Sequence, residues 1–441
     1  MPRSDRFGHV HELRARLESL GWWHSFALPD GTRIRGTISI EQLRLRVAQF
    51  PIPHNLEGKR VLDIGAWDGW FSFEMERRGA EVLAIDDWDN PRFREIRSRL
   101  DSRVDYRIMD VYDVTPISVG RFDIVLFLGV LYHLKHPLLA LERVCAVTTD
   151  LAAVDSFVLQ EDRSGPELAS QPTMEFYETD EFGGQTDNWV GPNLPCLLAF
   201  CRTAGFARVE LRNVLETTAA VACHRRWGDE VDGAQPTARL IDAFHHTNYG
   251  INFSTQRDDY VTVWFDHVPG QLERGDVQPE VGGFGTIPIH LGRADTSMWQ
   301  ATFKLPPGLR PGWHPVQVRV RNGPRSASRP VAVDLSLPDR PIAITGVADG
   351  STWQPNQLDL GMGTALSLWV DGLPENADRA NVQVILGSTR IPVTFVEDDP
   401  EEETPRQVNV EVPVSTPIGP APLSVIVGSR ESEPHEVSVL R

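Results

Sequence analysis

Lysine is nearly missing from this chain: of 43 basic residues only Lys59, Lys135 and Lys304 are lysines, so residues 1–58 contain none. Charge recognition at the amino end therefore falls to arginine and histidine, a planar fork or a titrating ring rather than a compact ammonium. Cysteine is also scarce, with four residues at Cys145, Cys196, Cys201 and Cys223, no CxxC pair and none after Cys223. Structural zinc and a disulfide framework are thereby disfavoured. No apolar run approaches the roughly 20 residues of a membrane span, and the opening MPRSDRFGHVHEL has no apolar signal core, so a soluble, cytoplasmic protein with no membrane partner is expected. Positive charge is short overall: the formal net charge is -18, divided as +4 over residues 1–60, -10 over 61–226 and -12 over 227–441. Nucleic-acid affinity rests on neutralising phosphates, so only the first segment is a candidate for such contact.

What is present is an ordinary globular composition, 41% hydrophobic and 24% charged over 441 residues. That length predicts about two to four domains. Val10, Leu13, Leu17 and Leu20 form one helical stripe ended by Gly21, and Trp22, Trp23, Phe26 and Leu28 then lead into the turn Pro29-Asp30-Gly31. Residues 1–58 read as a helix and a hairpin or lid. From Lys59 strands alternate with helical stretches (VLDIG, EVLAID, VDYRIMD, FDIVLFLGVL), the signature of a parallel sheet with crossover helices. Strands at Arg208–Val214 and Thr217–Cys223 stand too close for a crossover and should pair antiparallel. After about Gln235 short alternating runs such as VTVWF, VQVRV, VNVEV and LSVIV separate Pro/Gly turns. Trp264, Asp266, Pro269, Arg274, Val277, Gln278 and Gly282 recur 105 residues later, and Gly312, Pro315, Val318 and Val320 recur after 107. Two copies of one all-β unit are expected, with immunoglobulin-like size, a polar linker at Leu337–Pro341 and an exposed acidic loop at Glu397–Glu403.

The strongest chemical signal is VLDIGAWDGW, a strand ending in Asp63 followed by Gly65 and Gly69 before a helix. Such a turn lets a ligand approach backbone amides at a helix N-terminus. In a dinucleotide fingerprint begun at Gly65 the next glycines would occupy positions held by Trp67 and Trp70, which disfavours a pyrophosphate and leaves a nucleoside without phosphate. Asp86 ends the next strand, placed to accept from both ribose hydroxyls, and Asp110 ends the third, placed to accept from the adenine amino group. His133 and His136 form an HxxH without a third ligand at diagnostic spacing, so no metal is assigned. Cys145 reads as a small buried apolar residue. Trp67 and Trp70 read as core or cleft wall.

With these residues in place, VLDIGAWDGWFSFEMERRGAEVLAID and FLGVLYHLKHPLLALERV resemble the class I methyltransferases that use S-adenosylmethionine, and more narrowly the tRNA wobble-uridine carboxymethyltransferase family and its broader relatives, over roughly residues 20–225. The resemblance implies a Rossmann-like α/β sheet of seven strands over 59–235; the repeat in the tail places two sandwich domains after it, at 236–337 and 338–441. The resemblance carries Asp63, Gly65, Asp86 and Asp110 to the donor, the segment Gly129–His133 to the donor and acceptor side, and Tyr132 to a family tyrosine near the transferred group; Trp67, Gly69 and Val111 are expected beside them at the donor, and the candidate bases among the residues are His133, His136, Tyr132 and Glu175. The segment Met174–Asn193 is the expected acceptor-side lid. The carboxymethyl relatives hold the extra carboxylate of carboxy-S-adenosylmethionine with basic residues including lysines, absent here, which favours plain methyl transfer. Three functions follow in order: methylation of an oxygen or nitrogen on a small molecule or saccharide, modification of the tRNA wobble uridine, and a non-catalytic binding or assembly protein. In each, the tail is a module for recognition, a protein partner or self-association.

Overall fold

The computed structural model describes residues 21–160, 169–230, 237–247, 250–294, 297–335, 342–373, 377–397, 405–428 and 430–441, and the chain divides into two compact units, Met1–Trp227 and Gly228–Arg441. The division falls at 227 rather than 235, and the amino-terminal elements belong to the first unit rather than standing apart. The helix expected over residues 9–20, the linker 337–341 and most of the acidic loop 397–403 lie outside the described residues.

The first unit opens with β1 (Trp22–His24), β2 (Phe26–Ala27), β3 (Arg33–Ile34) and β4 (Gly36–Ile38). β2 and β3 pair antiparallel across the Pro29-Asp30-Gly31 turn, where Asp30 accepts from the Thr32 amide at 2.8 Å, and β1 pairs parallel with β4. α1 (Ile40–Ala48) starts at a reciprocal cap: Gln42 N–H donates to Ser39 Oγ at 3.2 Å and Ser39 N–H to Gln42 Oε1 at 2.9 Å. These elements form a packed layer. Trp22, Phe26, Leu28, Ile34, Leu43 and Val47 join Phe71, Phe73 and Phe93 in one core, whereas Trp23 stays half exposed. The hairpin is thus part of the fold's covering layer, because its apolar residues have a sheet face to bury against.

Then come β5 (Arg60–Ile64), α2 (Trp70–Arg77), β6 (Glu81–Asp86), α3 (Pro91–Arg99), β7 (Asp105–Ile108), β8 (Phe122–Leu128), α4 (Pro137–Val147), β9 (Thr148–Phe157), β10 (Met174–Phe176), β11 (Val190–Pro192), α5 (Leu194–Thr203), β12 (Arg208–Leu215) and β13 (Thr218–His224). Seven strands form one sheet in the order β12-β13-β9-β8-β5-β6-β7. β7, β6, β5, β8 and β9 run parallel, and β13 is antiparallel to both β9 and β12, as the short connection after Leu215 requires. Val61 faces the core that holds α1, while Leu62 and Ile64 join the opposite core with Leu141, Val144, Leu197 and Phe206, so both faces are covered. All four cysteines are free and buried.

The second unit contains two β-sandwiches. In the first, β14 (Arg239–His245), β16 (Tyr260–Asp266), β20 (Trp299–Lys304) and β19 (Pro288–Arg293) form one sheet, and β15 (Asn252–Phe253), β22 (Arg329–Val333), β21 (Gly312–Val320), β17 (Val277–Val281) and β18 (Phe284–Gly285) the other, each in that spatial order. The second repeats this arrangement: β23 (Ala343–Asp349), β25 (Ala365–Asp371), β29 (Arg406–Glu411) and β28 (Val393–Val396), facing β24 (Gln357–Asp359), β32 (His435–Leu440), β30 (Gly419–Val427), β26 (Val382–Leu386) and β27 (Thr389–Ile391), with the short β31 (Arg430–Glu431) added on β30. Most of the matching strands are those that the 105- and 107-residue offsets align, while β14 matches β23 at 104 and β22 matches β32 at 106. Each sandwich closes its own apolar core, around Val263, Phe303 and Val318 in one and Leu368, Val410 and Val425 in the other.

Candidate functional site

The turn after β5 sets Gly65, Trp67 and Gly69, three of the residues expected at the donor, beside Asp86 at the end of β6. Gly65 has φ +70°, and a Cβ there would lie 2.5 Å from Val130 Cγ2, so only glycine fits. Its N–H donates to the Ile85 carbonyl at 2.9 Å, docking the turn on β6. Trp67 also sits in the left-handed region, at φ +53°, with its N–H donating to Asp86 Oδ2 at 2.7 Å and its ring edge-on to Trp88. With its ring packed beside Trp88 and 41% exposed, the indole is not buried in the turn, in contrast to the obstruction its size suggests in the sequence. Gly69 is the N-cap of α2 at φ +89°, where a Cβ would meet Phe73 at 2.6 Å.

Asp86, at the end of β6, is 7% exposed and also accepts from the Asp87 N–H at 3.0 Å. Burial pushes its pKa up to about 7, partly opposed by the Trp67 amide. A carboxylate offers about four lone-pair positions, and two amides leave two of them for a ligand. Asp63 is turned inward: Ser72 Oγ donates to its Oδ2 at 2.6 Å, and burial raises it to about 6. It supports the turn from beneath. Asp110 is exposed and accepts from the Tyr112 N–H at 2.9 Å, capping the short turn Val111–Asp113, while Val111 is buried. The Met109 N–H donates to the Asp86 carbonyl at 2.8 Å, which sets the Asp86 and Asp110 strand ends side by side.

Three supporting residues were not foreseen as site residues. Asp68, fully buried in the turn, accepts from the His24 N–H at 2.9 Å and the Trp23 N–H at 3.2 Å and pairs with the His24 ring. This ties β1 to the turn. Arg46 of α1 meets Asp155 of β9 through both of its faces, Nε to Oδ2 at 3.0 Å and Nη2 to Oδ1 at 2.6 Å, with Asp155 almost wholly buried. The Asp155 carbonyl accepts the Gly129 N–H at 2.8 Å, and a Cβ on Gly129 would lie 3.4 Å from Arg46 Nη2 and 3.5 Å from Tyr132 Oη. Gly129, Arg46, Asp155 and Tyr132 thus form one cluster at the ends of β8 and β9. The Ser39-x-x-Gln42 cap announces α1, but contacts spanning 44 and 109 residues leave no local mark.

On the acceptor side, burial raises the Tyr132 phenol above its ordinary value, with Asp155 adding to the effect and Arg46 opposing it. Tyr132 therefore keeps its proton at neutral pH. His133 stacks obliquely on Tyr132, and its Nδ1 lies 2.9 Å from the Asp187 carbonyl. A carbonyl only accepts, so Nδ1 carries the proton and Nε2 of the neutral ring keeps its lone pair. Trp189 N–H donates to the Tyr132 carbonyl at 2.8 Å, and Lys135 lies over the Trp189 ring at 4.2 Å. These contacts, with β10 paired to β11, place the segment 174–192 beside Tyr132 and His133. Glu175 accepts from Tyr177 Oη at 3.0 Å, within its own strand end. His136 is engaged through its N–H, which donates to Tyr112 Oη at 3.0 Å. Among the described residues no group of three His, Cys, Asp or Glu could hold a metal, and no helix is long and apolar enough to cross a membrane. A cavity of about 480 Å³ lined by Glu41, Arg44, Phe50, His54, Glu74 and Arg78 lies along α1 and α2 and includes none of the residues above.

The strand order, with one antiparallel strand inserted next to the last, and the glycine turn at the carboxyl end of its central strand are those of the class I methyltransferase fold, the class whose donor is S-adenosylmethionine. Residues 36–158 match the family described as a methyltransferase domain. Among curated proteins the chain is similar to a tRNA U34 carboxymethyltransferase of Pseudomonas putida (strain GB-1), 28% identical over 182 residues, 40% of this chain and 54% of the relative. Another, from Pseudomonas savastanoi pv. phaseolicola, is 30% identical over 173 residues, 38% of this chain and 51% of that one. The chain spans about half the length of these relatives. Among solved structures, the N-terminal domain of EvdMO1 with SAH and D-fucose is 21% identical at a TM-score of 0.36, covering 48% of this chain and 95% of that one. A Burkholderia thailandensis 1,6-didemethyltoxoflavin-N1-methyltransferase is 19% identical at a TM-score of 0.30, covering 38% and 70%.

Proposed function

We propose that this protein transfers a methyl group from S-adenosylmethionine to an oxygen or nitrogen of a small-molecule or saccharide acceptor. The observation that carries the reading is Asp86: a buried carboxylate at the strand end beside the glycine turn, fixed by two backbone amides and left with two acceptor positions, the number a ribose diol needs. The free oxygen of Asp110 and the buried Val111 suit the adenine end, and the Gly65 turn and Gly129 suit the amino-acid end. The bound donor supplies an already activated methyl on a sulfonium. Positioning then carries much of the rate, with a base required only where the nucleophile bears a proton. His133 Nε2 is the candidate base, since Nδ1 is committed to the Asp187 carbonyl. Tyr132 remains a protonated hydrogen-bond donor that orients rather than deprotonates. Glu175, bonded to Tyr177, is a wall of the acceptor side.

Plain S-adenosylmethionine is preferred over the carboxylated donor. Arg46 stands beside Gly129, but its charge is matched by Asp155, and a donor carboxylate placed there would meet a neutral pair. The tRNA reading is favoured by the names of the curated relatives. Against it stands the net charge of -10 over residues 61–226, which repels a polyanion. The two sandwiches, at about 236–337 and 338–441, are immunoglobulin-like recognition modules in this reading. The test is transfer of label from methyl-labelled donor by the full chain to panels of sugars, phenols, amines and tRNA. Label in a small acceptor supports the proposal, label in tRNA replaces it with the second reading, and donor binding without transfer to any acceptor points to a binding protein.

A further inference from the structure

The two sandwiches meet through faces that their cores do not use. Along β26, Val382, Val384 and Leu386 enter the second core, so Gln383 and Ile385 point outward, and Arg390 on β27 pairs in register with Ile385. Outward residues of a sheet are ordinarily wet. Here Gln383 is 1% exposed and the Arg390 side chain 5%. What covers them is the outer face of the first sandwich. Arg390 Nη2 lies 2.5 Å from Asp242 Oδ2, its guanidinium stands 4.5 Å from the centre of the Phe244 ring, and Phe244 packs edge-on against Trp264.

The junction is not sealed. It encloses a cavity of about 120 Å³ whose lining includes Asp242, Trp264, Arg329, Arg379, Gln383 and Arg390. Gln383 is buried, yet neither its Oε1 nor its Nε2 finds a hydrogen-bond partner among the described residues, and Arg390 Nη1 lacks one too. Leaving such groups unmatched is costly, and native proteins rarely do so without a reason. The other copy shows the contrast: Gln278, which the 105-residue offset aligns with Gln383, donates through Nε2 to Asn322 Oδ1 at 2.7 Å and accepts the Asn322 N–H at 2.9 Å. The same offset sets Arg390 against Gly285, and strand pairing sets Asp242, opposite Trp264, against Gly346, opposite Trp369, so the charged pair belongs to this junction and not to the repeated fold.

We propose that this cavity is a binding site for a small hydroxy acid, a ligand bearing a carboxylate and a neighbouring hydroxyl. Three guanidiniums face one carboxylate, which leaves a positive surplus for an anion, and a planar fork suits a carboxylate's two oxygens. The amide of Gln383 needs one acceptor and one donor from its ligand, and the paired carboxylate and hydroxyl supply both. The volume admits a molecule of the size of lactate or glycerate, or the acidic end of a sugar acid. This site is independent of the methyl-transfer reading.

The test is thermal denaturation and calorimetric titration of the full chain with D-glycerate, L-lactate, acetate and neutral glycerol. The expected result is saturable binding of a hydroxy acid, weaker binding of acetate and none of glycerol. Gln383→Met keeps the volume and removes both unmatched groups, so that variant should melt no lower than wild type while binding the hydroxy acid roughly tenfold more weakly. Arg379→Gln, at an exposed position, should weaken it several-fold without disturbing the fold. No saturable binding of either hydroxy acid, binding of glycerol equal to that of glycerate, or undiminished binding in Gln383→Met would overturn the proposal and leave the cavity to buried water.

Discussion

The donor side and the acceptor side of the candidate site are built differently. Around the glycine turn, Asp63, Asp68 and Asp86 are buried, each held by a hydroxyl, an imidazole or backbone amides, and each belongs to a strand end or a turn of the sheet. Around Tyr132 and His133 the partners are backbone carbonyls and amides of the segment 174–192, and Asp187 and Phe176 are exposed. A group fixed by buried partners is pre-organised at the expense of tolerance to change, whereas a loop side can vary without undoing the core. On the proposed function, donor binding falls to the rigid sheet and acceptor choice to the segment 174–192.

The sharpest way to break that contrast is at Asp68. Replacing it by Ala leaves His24 and two backbone amides buried without their acceptor and should lower unfolding free energy by about 3 to 5 kcal/mol, read from denaturant midpoints. A loss within about 0.5 kcal/mol, the range of an ordinary surface change, would show that the β1 tether is not structural. On the other side, His133→Gln should leave stability and donor affinity unchanged while lowering turnover of a hydroxyl or amine acceptor by about 100-fold. If donor affinity falls with turnover, the two sides are not separable. Gly65→Ala forces a Cβ against Val130 in a left-handed conformation, with an expected cost of about 2 kcal/mol. An unchanged melting midpoint would mean the turn relaxes freely.

A smaller effect is expected from pH. Asp63 and Asp86 keep their protons in the folded chain to about 6 and about 7, against an ordinary value of 3.8. The folded state then binds more protons than the unfolded one between those values, so the stability these groups contribute is complete below about 4 and lost as pH rises through 6 to 7. The decline in melting temperature over that range should be shallower in Asp63→Asn than in wild type; equal slopes would remove Asp63 from the account. Donor binding prefers an ionised Asp86 as hydroxyl acceptor, so it should tighten from pH 6 to 8 with release of a proton, visible as a buffer-dependent heat.

The parts legible in the sequence were those with a local signature. Glycines at 65 and 69 and acids at successive strand ends mark the turn and its neighbours because strand period and turn chemistry are short-range. The tail repeat was legible through its offsets, and every strand of the first sandwich has its counterpart in the second. Burial was not legible. Asp63 reads as a ligand group from its place at a strand end, yet it faces Ser72, because its side chain shares the face of Val61 and α2 lies over it. Trp67 reads as an obstruction, yet its ring is substantially exposed and packs edge-on against Trp88. The Arg46–Asp155 and His24–Asp68 pairs join segments that meet only once the amino-terminal layer has folded onto the sheet. The junction cavity has the same origin: Gln278 and Gln383 are one residue type at aligned positions, distinguished only by what covers them.

The central claim is that Asp86 holds the ribose of S-adenosylmethionine, and calorimetric titration of S-adenosylhomocysteine into the full chain, wild type and Asp86→Ala, tests it most directly. The account predicts saturable binding at one site in wild type and a loss of about 1 to 3 kcal/mol in the variant, roughly 5- to 150-fold in affinity, with the fold intact by circular dichroism. Equal affinity in the two proteins, or no binding in wild type, would contradict it.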